Sequence, residues 1–111
     1  MQNSKFEAYI GFSIKSGSII YGSDKIFEYK KKLQLVIVDE STNVKIVNKL
    51  LNLSEIKGFI VIKSKILLSE LTKRENVKVV AILDKNFVSA ILKNCAEEIL
   101  ILKEGENKLG K

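Results

Sequence analysis

Histidine, proline and tryptophan are absent from the 111 residues of this chain, and cysteine occurs once. Without histidine, the chain lacks the side chain that most often serves as a general base near neutral pH. Cys95 alone cannot form an intramolecular disulfide or a cysteine metal cluster, and a lone thiol fits a reducing compartment. Because Cys95 lies among apolar residues of a helical pattern, we expect a buried structural thiol, not a nucleophile.

Long apolar runs are also missing, since none approaches the roughly 20 residues of a membrane-spanning helix. The N-terminus has no charged segment followed by an apolar stretch, so we expect no signal peptide. These features predict a cytoplasmic protein without a membrane partner. Basic residues outnumber acidic ones by 19 to 13, and the resulting net charge of +6 favours a polyanionic partner.

Apolar residues make up 46% of the chain, which is enough to fill one core. The length suits one domain, predicted over residues 1–103 and followed by a polar tail over residues 104–111.

Helical and strand patterns alternate along the chain. Apolar, β-branched runs predict four strands, near Ser18–Tyr21, Leu33–Val38, Gly58–Ile62 and Val77–Leu83, of which Leu33–Val38 and Gly58–Ile62 should be buried. Five helices are predicted between and around these strands. The first covers Lys5–Lys15, the second is capped by Ser23 or Asp24 and runs to Lys32, and the third is capped by Ser41, Thr42 or Asn43. The fourth is capped by Ser64 and runs to about Lys73, and the last is capped by Asp84 and runs to about Lys103. Strands that are apolar throughout need cover on both faces, so the pattern predicts an α/β fold with three α/β/α layers.

Catalytic motifs are scarce. Asp39 and Glu40 are adjacent carboxylates at a strand end, but neighbours on an extended chain point in opposite directions, so capping and solvation are the favoured interpretation. Gly11, Gly17 and Gly22 lack dinucleotide-fold spacing, and no phosphate-loop motif occurs. We therefore predict no enzyme, no catalytic residue, no cofactor and no metal.

The most informative segment for binding begins YGSDK. Gly22 allows a tight turn from strand to helix, and the first helical turn offers free N–H groups and a positive dipole end. Ser23 adds a hydroxyl, Asp24 an acceptor and Lys25 a positive charge, so the turn can hold a phosphate or a nucleic-acid backbone. The alternative is an ordinary connection in which Ser23 and Asp24 only cap. Lys30–Lys32 could likewise contact phosphates or form a solvated helix end.

Three segments together resemble the kink-turn RNA-binding ribosomal-protein family, which includes large-subunit proteins seven-Ae and thirty-e. The superfamily also includes small-subunit protein twelve-e and the Gadd-forty-five stress-response proteins, and its short bacterial stand-alone members are closest in length. The resemblance runs from about Phe6 to Leu92. Its first two segments are Gly11–Gly22 (GFSIKSGSIIYG), which matches the glycine-marked opening of the family, and Leu33–Asn43 (LQLVIVDESTN), which matches the second strand and the acidic turn. The third segment is Leu68–Phe87, which contains an Ala-x-x-Asp-x-x-Phe pattern at Ala81, Asp84 and Phe87.

This resemblance implies a thirty-e-like α/β/α sandwich around a four-stranded mixed sheet. It also implies binding of a kink-turn, a sharply bent RNA motif with sheared G·A pairs. The RNA contacts it implies fall on the glycine turn and helix two, the acidic turn, and the loop before the last strand: Gly22, Asp24, Lys25, Glu28, Glu40, Leu67, Leu68 and Ser69. Leu67 and Leu68 would pack on an extruded base or enter the core.

The turn departs from the pattern Gly-x-Asn-Glu-x-x-Lys of many kink-turn binders. Asp24 stands at the Asn position, Lys25 at the Glu position and Glu28 at the Lys position. Asp keeps the acceptor of Asn but loses its amide donors. Lys32, four residues after Glu28 on the predicted helix, is spaced to form an ion pair with it.

The resemblance predicts a non-catalytic protein bound to structured RNA, either ribosomal or another kink-turn RNA, with ribosomal or other proteins as further partners. One alternative is a protein-interaction module on the same scaffold that has lost RNA binding. Another is the substrate-binding domain of an RNA-modifying enzyme, separated from its catalytic partner.

Overall fold

A computed structural model describes residues 5–104, in which helices and strands alternate strictly. Their bounds are α1 Lys5–Lys15, β1 Ile19–Tyr21, α2 Ser23–Glu28, β2 Leu35–Val38, α3 Val44–Lys57, β3 Ile60–Ser64, α4 Leu68–Thr72, β4 Val79–Ile82, α5 Lys85–Asn94 and β5 Ile99–Lys103. The predicted tail lies outside the described residues, except for Glu104. None of the described helices combines the length and apolar character needed to cross a membrane.

The strands form one mixed sheet in the order β1-β4-β2-β3-β5. β2 and β3 are parallel, because α3 carries the chain back to the starting edge of the sheet. β4 is antiparallel to both β1 and β2, and β5 is antiparallel to β3. In the central strand, Val36 lies opposite Val61 on one side and Ala81 on the other.

Helices cover both faces of this sheet and enclose two apolar cores. On one face, Phe6 of α1, Leu68 of α4 and Ile91 of α5 pack against the sheet. On the other face, Ile26 of α2 and Leu50 of α3 do the same. Every residue of β2 is buried because its successive side chains enter the two cores alternately. The predicted α/β class is confirmed.

Several local predictions agree with the structure. All four predicted strands are present, and α1 has its predicted bounds. Asn43 caps α3 by accepting from the Lys45 N–H at 2.7 Å, and Asp84 caps α5 by accepting from the Asn86 N–H at 2.7 Å. These features depend on residues close together in the chain, which is why the sequence pattern predicts them.

The fifth strand shows that the prediction of a four-stranded sheet was wrong. The last helix was expected to continue to about Lys103, but α5 ends at Asn94 and Ile99–Lys103 form β5. An ILIL run suits a helix or a strand locally, so its pattern alone does not decide between them. The open edge of β3 favours a strand for this run, because β5 pairs with backbone groups of β3 that would otherwise lack a strand partner.

Helix α2 is shorter than predicted, since it ends at Glu28 and not at Lys32. Tyr29 has extended backbone angles, φ −68° and ψ 126°, and the chain then leads to Leu33, which is buried in the core beneath α2 and α3. A helix continued to Lys32 would not follow this path to the core. The predicted i,i+4 pairing of Glu28 with Lys32 is therefore wrong, because the helix that it needs is absent.

Two predicted helix caps are also wrong. Gly22 is the N-cap of α2 and no side chain accepts there, so Ser23 and Asp24 lie within the first turn and do not cap it. Leu67, not Ser64, precedes α4, and the Leu68 N–H donates to the Asp39 carboxylate at 2.7 Å. Asp39 is distant in sequence, so no local pattern predicts this contact.

Cys95 is 1% exposed and belongs to the core beneath α1 and α5. The prediction of a buried thiol is thus confirmed. Burial raises the pKa of the Cys95 thiol, the Glu98 carboxylate raises it further, and the Lys5 ammonium opposes both effects.

We predict that this thiol makes the free energy of unfolding fall as pH rises above 9.0, the ordinary pKa of the group. Above this pH the unfolded chain releases the thiol proton while the folded protein still holds it, so stability is lost progressively until the folded thiol also ionises. Urea unfolding from pH 8 to pH 10.5 measures the effect. Cys95→Ala is the control, because it removes the thiol, and it should show a shallower decline. Equal declines in both proteins would contradict the prediction.

Candidate functional site

A groove of about 570 Å³ lies at the edge of the sheet where β1 and β2 end and β4 begins. Its walls come from the β1–α2 turn, the β2–α3 turn and the loop between α4 and β4. The lining residues are Tyr21, Gly22, Ser23, Asp24, Lys25, Ser41, Thr42, Asn43, Ile46, Asn76, Lys78 and Val79. The sheet thus brings together segments that lie far apart in the sequence.

The first wall depends on the backbone of Gly22. Its φ of 91° and ψ of 143° lie in a region that other residues rarely adopt, and its N–H donates to the Val79 carbonyl at 2.8 Å. A Cβ built at Gly22 would have no heavy atom within 4 Å. Glycine is therefore required here for its conformational freedom and not for space.

The second wall is the turn from Ser41 to Asn43, which enters α3. The Thr42 hydroxyl donates to the Lys78 carbonyl at 2.7 Å, so this turn is joined directly to the start of β4. The Asn43 side chain is occupied by its cap to α3. These contacts hold the β2–α3 turn against the third wall.

The third wall contains Asn76 and Lys78, which no pattern in the sequence marked as candidate residues. Asn76 has a positive φ of 68°, a conformation that Asn tolerates better than most residues. Arg74 lies over the Tyr21 ring with 4.1 Å between its guanidinium carbon and the ring centroid, and this contact anchors the loop to β1. The polar residues that precede β4 were the one feature of the sequence that could have indicated this wall, but only the fold brings them beside Gly22.

The predicted residues of the glycine turn divide between two places. Gly22, Ser23, Asp24 and Lys25 all line the groove, and Asp24 and Lys25 are exposed. Glu28 does not line it. That residue is exposed at the other end of α2, beside a separate depression of about 540 Å³ lined by Phe27, Glu28, Tyr29, Lys30 and Lys57.

The remaining predicted residues lie outside the lining of the groove. Glu40 is exposed and directly precedes Ser41. Leu67 and Ser69 are half-buried at the start of α4, whereas Leu68 is fully buried in the core. Of the two roles considered for Leu68, the structure therefore selects the core, and its side chain has no surface to offer to a base.

The lining combines hydroxyl, amide and ammonium groups with some apolar surface. Among the lining residues within the described part of the chain, Lys25 and Lys78 are the cations and Asp24 is the only acidic residue. Such a set suits a ligand that carries negative charge and several acceptors, such as a phosphodiester chain. Within residues 5–104, no group of three or more His, Cys, Asp or Glu residues gathers in a way that could hold a metal ion.

The fold and the groove define a small three-layer α/β protein with a cationic, polar groove at one end of a mixed sheet. A solved structure of a protein of unknown function from Bacillus halodurans C is similar, with a TM-score of 0.77 and 14% sequence identity over 85% of this chain and 99% of that chain. At this identity the likeness concerns the fold alone. No protein-family model matches the chain, and no curated protein matches it.

We predict that Gly22→Ala lowers the free energy of unfolding by about 1–3 kcal/mol, the usual cost of holding a side-chain-bearing residue in a rare backbone conformation. Gly11→Ala is the matched control, because Gly11 lies within α1 and its added Cβ would also meet nothing within 4 Å. That control should stabilise the protein by up to about 1 kcal/mol. Urea unfolding of both variants tests the pair. A neutral Gly22→Ala would contradict the backbone requirement.

Proposed function

We propose that this protein is a non-catalytic, cytoplasmic RNA-binding protein that recognises a structured RNA of the kink-turn type through the groove and the exposed residues around it. The observation that carries the proposal is the meeting of Gly22–Lys25 and the β2–α3 turn in one groove. The resemblance to the kink-turn ribosomal-protein family assigns RNA contacts to both of these segments from separate parts of the sequence.

The fold is compatible with that family. We propose that the alternation of helices and strands around a mixed sheet represents the thirty-e-like architecture, with β5 as an added edge strand. The overall net charge of +6 and the lone buried thiol fit a cytoplasmic protein with a polyanionic partner.

Phosphate recognition would depend on Lys25 and Lys78, which lie on different walls of the groove. Two cations on opposite sides of a bent backbone would each neutralise a phosphate, while hydroxyl and amide groups between them accept or donate hydrogen bonds. Since α2 has only six residues, its dipole adds little, and the side chains have the larger role.

Lys30–Lys32 would have a different role. They are exposed, follow α2 and are separated from Gly22 by the helix, whose length is about 9 Å at 1.5 Å per residue. The Lys57 ammonium donates to the Tyr29 carbonyl at 3.3 Å, which brings a further cation to this region. We propose that this basic region supplies screened, sequence-independent attraction to an RNA stem.

The absence of catalysis is part of the proposal. The chain contains no histidine, and its one thiol is buried and has a raised pKa, which disfavours the nucleophilic thiolate. Turnover of a nucleotide or an RNA that survives repurification and disappears on one side-chain substitution would contradict it.

A second candidate function is a protein-interaction module on the same scaffold. It is favoured by Ile56 of α3, which is 80% exposed and lines an apolar depression of about 410 Å³ with Phe27 and Leu53. An exposed isoleucine beside other apolar residues is typical of protein contact surfaces. This depression shares no lining residue with the groove, so substitutions can test the two functions separately.

We predict that Lys25→Ala and Lys78→Ala each weaken binding of a kink-turn RNA several-fold at moderate salt, because each removes a phosphate contact and lowers the salt slope by about one. Lys49→Ala is the control, since Lys49 is an exposed lysine of α3 that lies outside the groove. Replacing Lys30–Lys32 with alanine should mainly flatten the salt dependence. Mobility shifts over a salt series, with a simple RNA duplex as competitor, measure these effects.

We also predict that Glu28→Lys tightens binding, because it restores the cation that the kink-turn pattern carries at this position. Glu55→Lys is the control: it makes the same charge change on α3, at a carboxylate that is 69% exposed and only 3.9 Å from the Lys103 ammonium. Equal tightening by both would indicate a non-specific charge effect. If Glu28→Lys changes nothing, Glu28 lies outside the RNA contact. If Lys25→Ala and Lys78→Ala also leave affinity unchanged, the groove is not the RNA site, and the protein-interaction function becomes the better candidate.

A further inference from the structure

Asp39 is a buried carboxylate at the end of β2, with 2% of its surface exposed. A charged group removed from water to this degree needs several hydrogen-bond donors to compensate for its lost hydration. Asp39 lies outside the lining of the groove, so direct contact with a ligand does not account for it.

The two carboxylate oxygens of Asp39 bind different segments. Oδ1 accepts from the Ser41 N–H at 2.8 Å and from the Ser41 hydroxyl at 2.6 Å, which closes the β2–α3 turn around Glu40. Oδ2 accepts from the Leu68 N–H at 2.7 Å, at the first turn of α4. One side chain therefore joins the turn that carries Glu40 to the segment that carries Leu67 and Ser69.

The backbone of Asp39 extends this network to β4. Its N–H donates to the Thr42 hydroxyl at 3.0 Å, and the same hydroxyl donates to the Lys78 carbonyl at 2.7 Å. Next along β4, the Val79 carbonyl accepts from the Gly22 N–H. All three walls of the groove and the start of α4 are thus connected through a few short contacts.

We infer that Asp39 is the positioning residue of this site: its carboxylate holds the Glu40 turn and the Leu67–Ser69 segment in one fixed arrangement, so that they contact RNA as a unit. This inference rests on the proposed function. It requires both carboxylate oxygens to accept at once, which an ionised Asp can do and a neutral amide cannot. In Asp39→Asn, the amide nitrogen would face either the Leu68 N–H or the Ser41 donors, so one of the two attachments is lost.

The test compares Asp39→Asn with Asp84→Asn, a matched control in which the same substitution is made at a local helix cap of α5, far from the groove. Asp84 uses only Oδ1 to cap its helix, and asparagine retains that acceptor. Amide hydrogen exchange measures the attachment without RNA, and titration with a kink-turn RNA measures its effect on binding.

We expect Asp39→Asn to speed exchange at Ser41, at Leu68 or at both by about tenfold, while amides of α1 exchange as in the unchanged protein. RNA affinity should fall by about tenfold, and Asp84→Asn should change neither quantity. Unchanged exchange would overturn the attachment. Faster exchange with full RNA affinity would overturn the positioning role.

Failure of the proposed function gives a different result, because the unchanged protein would then not bind the RNA at all. In that event the exchange data alone support or overturn the joining of the two segments by Asp39. If Asp39→Asn fails to fold, Thr42→Val and Thr42→Ser provide the test, since valine removes the hydroxyl that reaches Lys78 and serine keeps it. Because Thr42 also lines the groove, exchange of the Asp39 N–H is measured beside RNA binding. Faster exchange with weaker binding in the valine variant alone supports the network, and unchanged exchange or equal binding by both variants overturns it.

Discussion

A carboxylate that loses almost all contact with water must replace its hydration with donors from the protein, and Asp39 obtains them from two segments that are far apart in the chain. This requirement determines how the β2–α3 turn lies against the start of α4. Because Leu68 supplies a donor with its backbone and an apolar anchor with its side chain, the same residue connects the polar edge to the core.

The groove inherits its geometry from the sheet beneath it. β1 and β2 both pair with β4, so their ends emerge beside its start, and the Gly22 N–H and the Thr42 hydroxyl each reach a carbonyl there. Backbone carbonyls of a sheet are held in place by the neighbouring strands, so turns attached to them are held as well. A binding site built in this way would be largely formed before its ligand arrives, and little ordering would be needed on binding.

The distribution of charge follows from packing as much as from composition. Leu33 has to reach the core under α3, so the chain leaves the helical path at Tyr29 and the three lysines before Leu33 lie in an exposed, irregular segment. Lys25 remains on the other side of α2, at the groove. Two cationic regions with different surroundings thus lie at the two ends of one short helix.

The sequence by itself determined the α/β class, the strands β1–β4 and the cap of α5, and it narrowed the cap of α3 to Ser41, Thr42 or Asn43, because each depends on burial or on hydrogen bonds between residues a few positions apart. Only the tertiary structure decided the strand nature of β5, which depends on the open edge of β3, and the cap of α4, which Asp39 supplies from the end of β2. The candidate site divides in the same way. Gly22–Lys25 could be identified from a local turn pattern, whereas Asn76 and Lys78 join them only because sheet pairing brings distant segments to one edge.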